Sequence, residues 1–328
     1  MSGSQLLPWL GWMRFIAAFI VMLGHIGGAL FVSYDKVVNP NIFNKTFLVF
    51  TSVGNEAVIL FFVLSGYLVG GKALERIKTN NFDMQGYIID RATRILVPLF
   101  PAIVLAILVT LSLQEGSFQS YKEFKNKVWE NNAVLWSLVY EVIFYGLIIG
   151  ISFYKKNNIL LGLSLLIFAI IFHKLYIHYL VCWLVGALLY LIPRRKVPFL
   201  LYAGIVGAIA SSWTYQNYAD IYAPQTRVFL ALSFAVIIHQ ALLINKWPAF
   251  QDMGEKLAAF SYTLYLTHYP IVKLFEHKAG LNNIDELDVY AWGMYTYVLT
   301  WCVVISWMMY VLFERNTQAI KQKVRLLF

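Results

Sequence analysis

Ten apolar stretches, near 9–33, 53–71, 95–114, 133–153, 159–175, 177–192, 198–214, 226–244, 258–274 and 289–313, set the terms on which this chain can fold. Runs of about 20 apolar residues match the thickness of a bilayer's hydrocarbon core. The expected fold is therefore all-α: a polytopic integral membrane protein with about ten transmembrane helices, of which the fifth and sixth are short. The composition agrees, with 60% hydrophobic, 17% aromatic and only 13% charged residues, far from the balance of a soluble domain. Ten tryptophans and 21 tyrosines fit the aromatic belts at membrane interfaces.

The net charge of +9 is scattered between apolar spans and forms no basic, aromatic-interleaved domain, so no nucleic-acid partner is expected. Topology explains it better. With the amino terminus inside, 17 of the 26 Lys and Arg residues fall on the cytoplasmic side, which places both termini in the cytoplasm and requires an even number of spans. No polar segment is long enough for a second domain; the longest, about 72–94, reads as a basic cytoplasmic loop. A single membrane domain over 1–328 is expected, with no repeat. The first span carries Arg14 in its opening turns without a clear cleavage site, and should stay as a membrane helix. Cys182 and Cys302 lie inside apolar spans and read as core residues.

Ionisable groups within spans are expensive and mark functional candidates. In "RFIAAFIVMLGH" Arg14 and His25 stand eleven residues apart, about three helical turns or 16 Å along one face. "LWSLVYEVIFYG" puts Ser137 and Glu141 on one face. "FSYTLYLTHYP" aligns Ser261, Tyr265 and His268. "DRATRILVP" carries Arg91 and Arg94, three apart, before the third span. With Arg14 these arginines have the planar forks suited to phosphate, although positive-inside flanking also accounts for them. No Walker or dinucleotide-binding glycine pattern is present, and the His and Glu residues show no metal-ligand spacing. Ser65-Gly66 reads as a close-packing step, Glu56 as a solvated acid near the outer interface, and His173, His178 and His277 as surface groups.

Six segments in order resemble the acyltransferase-3 family of membrane acyltransferases: "RFIAAFIVMLGH", "LFFVLSGYLVGG", "RATRILVP", "WSLVYEVIFY", "FSYTLYLTHYPI" and "YVLFER". They cover residue 14 to about 315. Phe15 stands where the family commonly has glycine, and "FERN" ends where Glu-Arg-Pro or Glu-Lys-Pro is more usual. The resemblance implies about ten spans in a bacterial cytoplasmic membrane and no fused esterase-like domain. It implies an O-acetyltransferase acting on extracytoplasmic glycans of the cell envelope, and it matches Arg14, His25, Arg91, Arg94 and Glu141 to the family's motifs.

The expected reaction moves an acyl group, acetyl by preference, from cytoplasmic acyl-CoA to a hydroxyl of an extracytoplasmic glycan or lipid-linked sugar. Arg14, Arg91 and Arg94 would bind the CoA phosphates. His25 would act as base, with Glu141 orienting it or stabilising its protonated form. Trp136, Ser137, Tyr140 and His268 are expected to line the substrate pocket. Direct transfer and a covalent acyl-histidine route both remain open. Acetyl-CoA is a donor rather than a resident cofactor, no metal is expected, and the remaining partners are membrane lipids. The alternative from another class is a proton-coupled transporter or flippase of a lipid-linked sugar, which would show inverted repeats.

Overall fold

The computed structural model describes residues 8–32, 36–38, 41–114, 118, 120–154, 156–243, 248–278, 280 and 284–327. In chain order they form α1 (Pro8–Leu30), α2 (Ile42–Ser52), α3 (Gly54–Ser65), α4 (Lys72–Lys78), α5 (Met84–Leu113), α6 (Tyr121–Glu130) and α7 (Leu135–Ile151). Then come α8 (Asn158–Phe172), α9 (Ile177–Leu191), α10 (Pro198–Ala241), α11 (Pro248–Lys278), α12 (Val289–Leu312) and α13 (Thr317–Arg325). A π-helical turn, Gly66–Gly71, joins α3 to α4, and a 3-10 turn, Glu314–Asn316, precedes α13. All ten apolar stretches are helical at their centres.

The helices start where the sequence offers a short polar acceptor. Asn41, Ser120, Asn157 and Asp288 each accept from the backbone N–H three residues on, satisfying a donor that the first turn leaves orphaned. Two expected spans run together in α10, whose 44 residues are bent at Tyr218 (φ −138°, ψ 29°) upstream of Pro224. The expected span 133–153 is the unbroken helix α7, and the shorter α6 before it meets it at 93°.

By length and apolarity, four described helical segments can cross a membrane: Trp9–Leu30, Ile42–Lys78, Met84–Leu113 and Val289–Arg325. The bent α6–α7 pair makes a fifth. α8 and α9 have 15 residues each and rise only about 22 Å, short of a full span. α8 leaves Ile159, Leu163, Leu166, Ile167 and Ile170 exposed, as a lipid-facing helix would.

The chain forms two compact units. The first comprises Met1–Arg14, Val58–Ile88 and Ser137–Glu255; the second comprises Phe15–Ala57, Ile89–Trp136 and Lys256–Phe328. In the first unit, small residues bring two backbones into contact. A Cβ on Gly66 would stand 1.9 Å from the Trp183 carbonyl oxygen, and one on Gly186 2.0 Å from that of Val63. Ser65-Gly66 is thus the close-packing step expected, the membrane habit of small residues at helix contacts. Phe62, Tyr140, Phe144, Tyr179 and Trp183 pack around it edge to face or tilted. Cys182 is fully buried there, as Cys302 is in the second unit. In that second unit Gly24 lets α1 approach α2, since a Cβ would meet the Thr51 carbonyl oxygen at 2.6 Å.

Candidate active site

The second unit joins two of the predicted site residues. His25 Nδ1 lies 2.8 Å from His268 Nε2. The ring planes are 18° apart with centroids at 5.1 Å, the arrangement of an N–H···N bond lying along both rings. Tyr269 closes one side of His25 edge-on, at 4.9 Å and 82°. His268 is fully buried, and its Nδ1 lies 2.9 Å from the Leu264 carbonyl oxygen.

The direction of these bonds follows from what each group can do. A carbonyl only accepts, so His268 Nδ1 donates to Leu264. A neutral His268 then offers Nε2 as an acceptor, and His25 Nδ1–H donates to it. Assigned from this network, His25 carries its proton on Nδ1 and a lone pair on Nε2.

Proline chemistry anchors the helix that supplies His268. Pro270 has no N–H, so the Leu266 carbonyl loses its usual i+4 donor. Asn132 Nδ2 takes that place at 3.1 Å. A neighbouring side chain thereby restores a bond that the apolar surroundings make costly to lose. Asn132 stands in the break between α6 and α7; it is fully buried, and its Oδ1 has no partner among the described residues. Beside it Asn131 donates to Thr110 (2.9 Å) and Tyr265 to the Val134 carbonyl (3.3 Å). Asn132 was not among the residues expected at the site, since it lies just outside the apolar stretch 133–153. Its signal was an Asn pair opening an apolar span.

Glu141 lies in the first unit. Ser65 Oγ donates to its Oε1 at 3.2 Å, Tyr145 OH donates to the same oxygen, and Trp183 Nε1 donates to Ser65 Oγ at 3.3 Å. His25 Nδ1 is thus occupied by His268 rather than by a carboxylate. Tyr140 is buried and its hydroxyl accepts from the Tyr176 backbone N–H at 3.0 Å. Ser137 and Trp136 are half-buried in the first turn of α7.

Arg94 has a protein partner that the sequence did not disclose. Its Nη1 bonds Glu314 Oε1 at 2.7 Å, and its guanidinium sits 5.2 Å from the centre of the Tyr262 ring. Glu314 is buried, and its Oε2 accepts from Thr263 N at 3.1 Å and from the Thr263 hydroxyl. A buried carboxylate needs this compensation. The "FER" ending is therefore a lock on Arg94. Arg91 is half-buried one turn earlier on α5, and Arg14 half-buried on α1.

Two readings change. Glu56 is buried rather than solvated, at 5% exposure; it sits in the first turn of α3, where the helix dipole favours an acid. His178 is buried rather than a surface group: it accepts from Arg227 Nη1 at 2.7 Å, while Arg227 Nη2 bonds the Tyr215 hydroxyl at 3.0 Å. His173 and His277 are exposed, as expected.

The family model for type 3, described as an acyltransferase domain, matches residues 7–313. The chain belongs to the acyltransferase-3 family. No curated relative and no solved structure matches it. The match takes in every residue of the candidate site except Glu314, which lies one position beyond it. Membership makes acyl transfer the chemistry of this acyltransferase-3 chain, and its apolar helices make it a membrane protein.

Proposed function

We propose that this acyltransferase moves an acetyl group from cytoplasmic acetyl-CoA to a hydroxyl of an extracytoplasmic glycan or lipid-linked sugar, in a bacterial cytoplasmic membrane. The observation that carries the reading is the His25–His268–Leu264 hydrogen-bond chain, which assigns the lone pair to His25 Nε2 in a span where an imidazole is costly. It takes the proton of the acceptor hydroxyl as the alkoxide oxygen attacks the thioester carbonyl. The tetrahedral adduct collapses, the C–S bond breaks, and the same proton passes from Nε2 to the departing thiolate. The products are the O-acyl ester and free CoA, and the histidine returns to its starting form.

Arg14 is three turns from His25 on the same helix, a span suited to the extended arm of a CoA thioester. Arg91 and Arg94 join it as proposed phosphate ligands. Arg94 commits Nη1 to Glu314 and keeps its other donors for this task. Glu141 has both described donors on Oε1, which leaves Oε2 to accept from a substrate hydroxyl. Trp136, Ser137 and Tyr140 are proposed to line the pocket.

The test is release of free CoA from acetyl-CoA by the purified protein in lipid, with and without an extracytoplasmic glycan fraction. Wild-type release, stimulated by glycan and lost in His25→Ala, is the expected result. A well-folded wild type that neither releases nor binds CoA overturns it.

A further inference from the structure

We propose that His268 is the positioning residue of the reaction: it selects the tautomer of His25 and steadies the charge that His25 gains. The inference rests on His25 acting as the base. A free imidazole populates both neutral tautomers, and only the one protonated at Nδ1 leaves Nε2 able to take a proton. The structure discriminates between them by a chain of three groups. The Leu264 carbonyl fixes the proton of His268 on Nδ1 at 2.9 Å, which makes His268 Nε2 an acceptor, 2.8 Å from His25 Nδ1. The other tautomer of His25 would set two lone pairs against each other across that distance.

Burial makes the selection strict. His268 is fully buried, and Tyr269 stands edge-on to His25, so neither ring turns freely towards water. The chain also does its work without a formal charge in the resting state. A carboxylate in this place would orient His25 equally well, but its desolvation would call for a counter-ion. When Nε2 takes the acceptor's proton, the Nδ1–H···Nε2 bond becomes charge-assisted and strengthens. When that proton goes to the thiolate, the bond relaxes. No proton is gained or lost by His268 over the cycle.

The experiment uses the full chain in lipid, with two variants: His268→Phe keeps a ring and removes the acceptor, and His268→Gln keeps an acceptor oxygen. Acetyl-CoA turnover gives kcat and KM, and ¹⁵N spectra of histidine-labelled protein report the tautomer of His25. We expect His268→Phe to lower kcat about 100-fold, the scale of a mis-set catalytic imidazole, with KM for acetyl-CoA unchanged and both His25 tautomers visible. His268→Gln should recover part of kcat and keep the proton on Nδ1. Wild-type kcat in His268→Phe, where His25→Ala is inactive, overturns the proposal. Should His268→Phe fail to fold, His268→Gln decides it: a His25 proton moved to Nε2 overturns it. If the wild type itself shows no His25-dependent turnover, the acyl-transfer reading fails. The spectra then judge the relay alone: an unchanged tautomer in His268→Phe overturns it, and a changed one upholds it.

Discussion

The hydrogen bonds around His25 run away from its Nε2, whereas those around Glu141 run into its carboxylate. His25 donates to His268 and His268 to a main-chain carbonyl, so the chain ends in a closed acceptor and leaves the His25 lone pair on Nε2. In the other unit Trp183 donates to Ser65, and Ser65 and Tyr145 both donate to one carboxylate oxygen. The first network exports a lone pair; the second gathers donors onto an acid. Two ionisable groups that look alike in an apolar sequence are thus set up for different work. In the proposed reaction the first moves a proton and the second accepts from substrate.

The contrast breaks most visibly at His25. His25→Ala should lower acetyl-CoA turnover by about 10²–10⁴-fold, the range of a positioned general base, with little change in the unfolding temperature in detergent. A variant that unfolds would make His25 a packing residue. The next effect belongs to a second acid that gathers donors. Glu314→Ala strips Arg94 of its partner and Thr263 N–H of its acceptor, and should cost about 2 kcal/mol in denaturant unfolding. Unchanged stability would mean that Arg94 is held from elsewhere.

Glu141→Gln sharpens the comparison at the other pole. The amide oxygen still accepts from Ser65 and Tyr145, so stability should hold, while loss of the proposed charge-assisted bond to substrate should lower kcat about tenfold. Loss as severe as that of His25→Ala would give both networks the same rank. The smallest expected effect is at the proline. Pro270→Ala returns an N–H to the Leu266 carbonyl, so Asn132→Ala should cost about 1 kcal/mol less in that background than alone. A double-mutant cycle on unfolding free energy would show no coupling if Asn132 did not replace that donor.

The all-helical, apolar character of the chain was legible because apolar runs are long-range signals, and His25 stood out because a polar group inside one is costly wherever its partner lies. Partners were not legible. Arg94 and Glu314 are 220 residues apart, and each sits in a segment that topology alone explains. His178 looked superficial because it opens an apolar run; only the fold brings Arg227 to it. Glu56 was misjudged for the same reason, since position along a span does not tell which face a neighbour covers. The seventh and eighth stretches read as separate because the polar residues between them resemble a loop, yet helix continues through them to a kink.

His25 and His268 are separated by 243 residues, which gives their bond a place in time. At usual rates of synthesis the ribosome needs roughly 10–50 s to make that length of chain. Through that interval the first helix waits in the bilayer with an imidazole whose partner has not yet been translated.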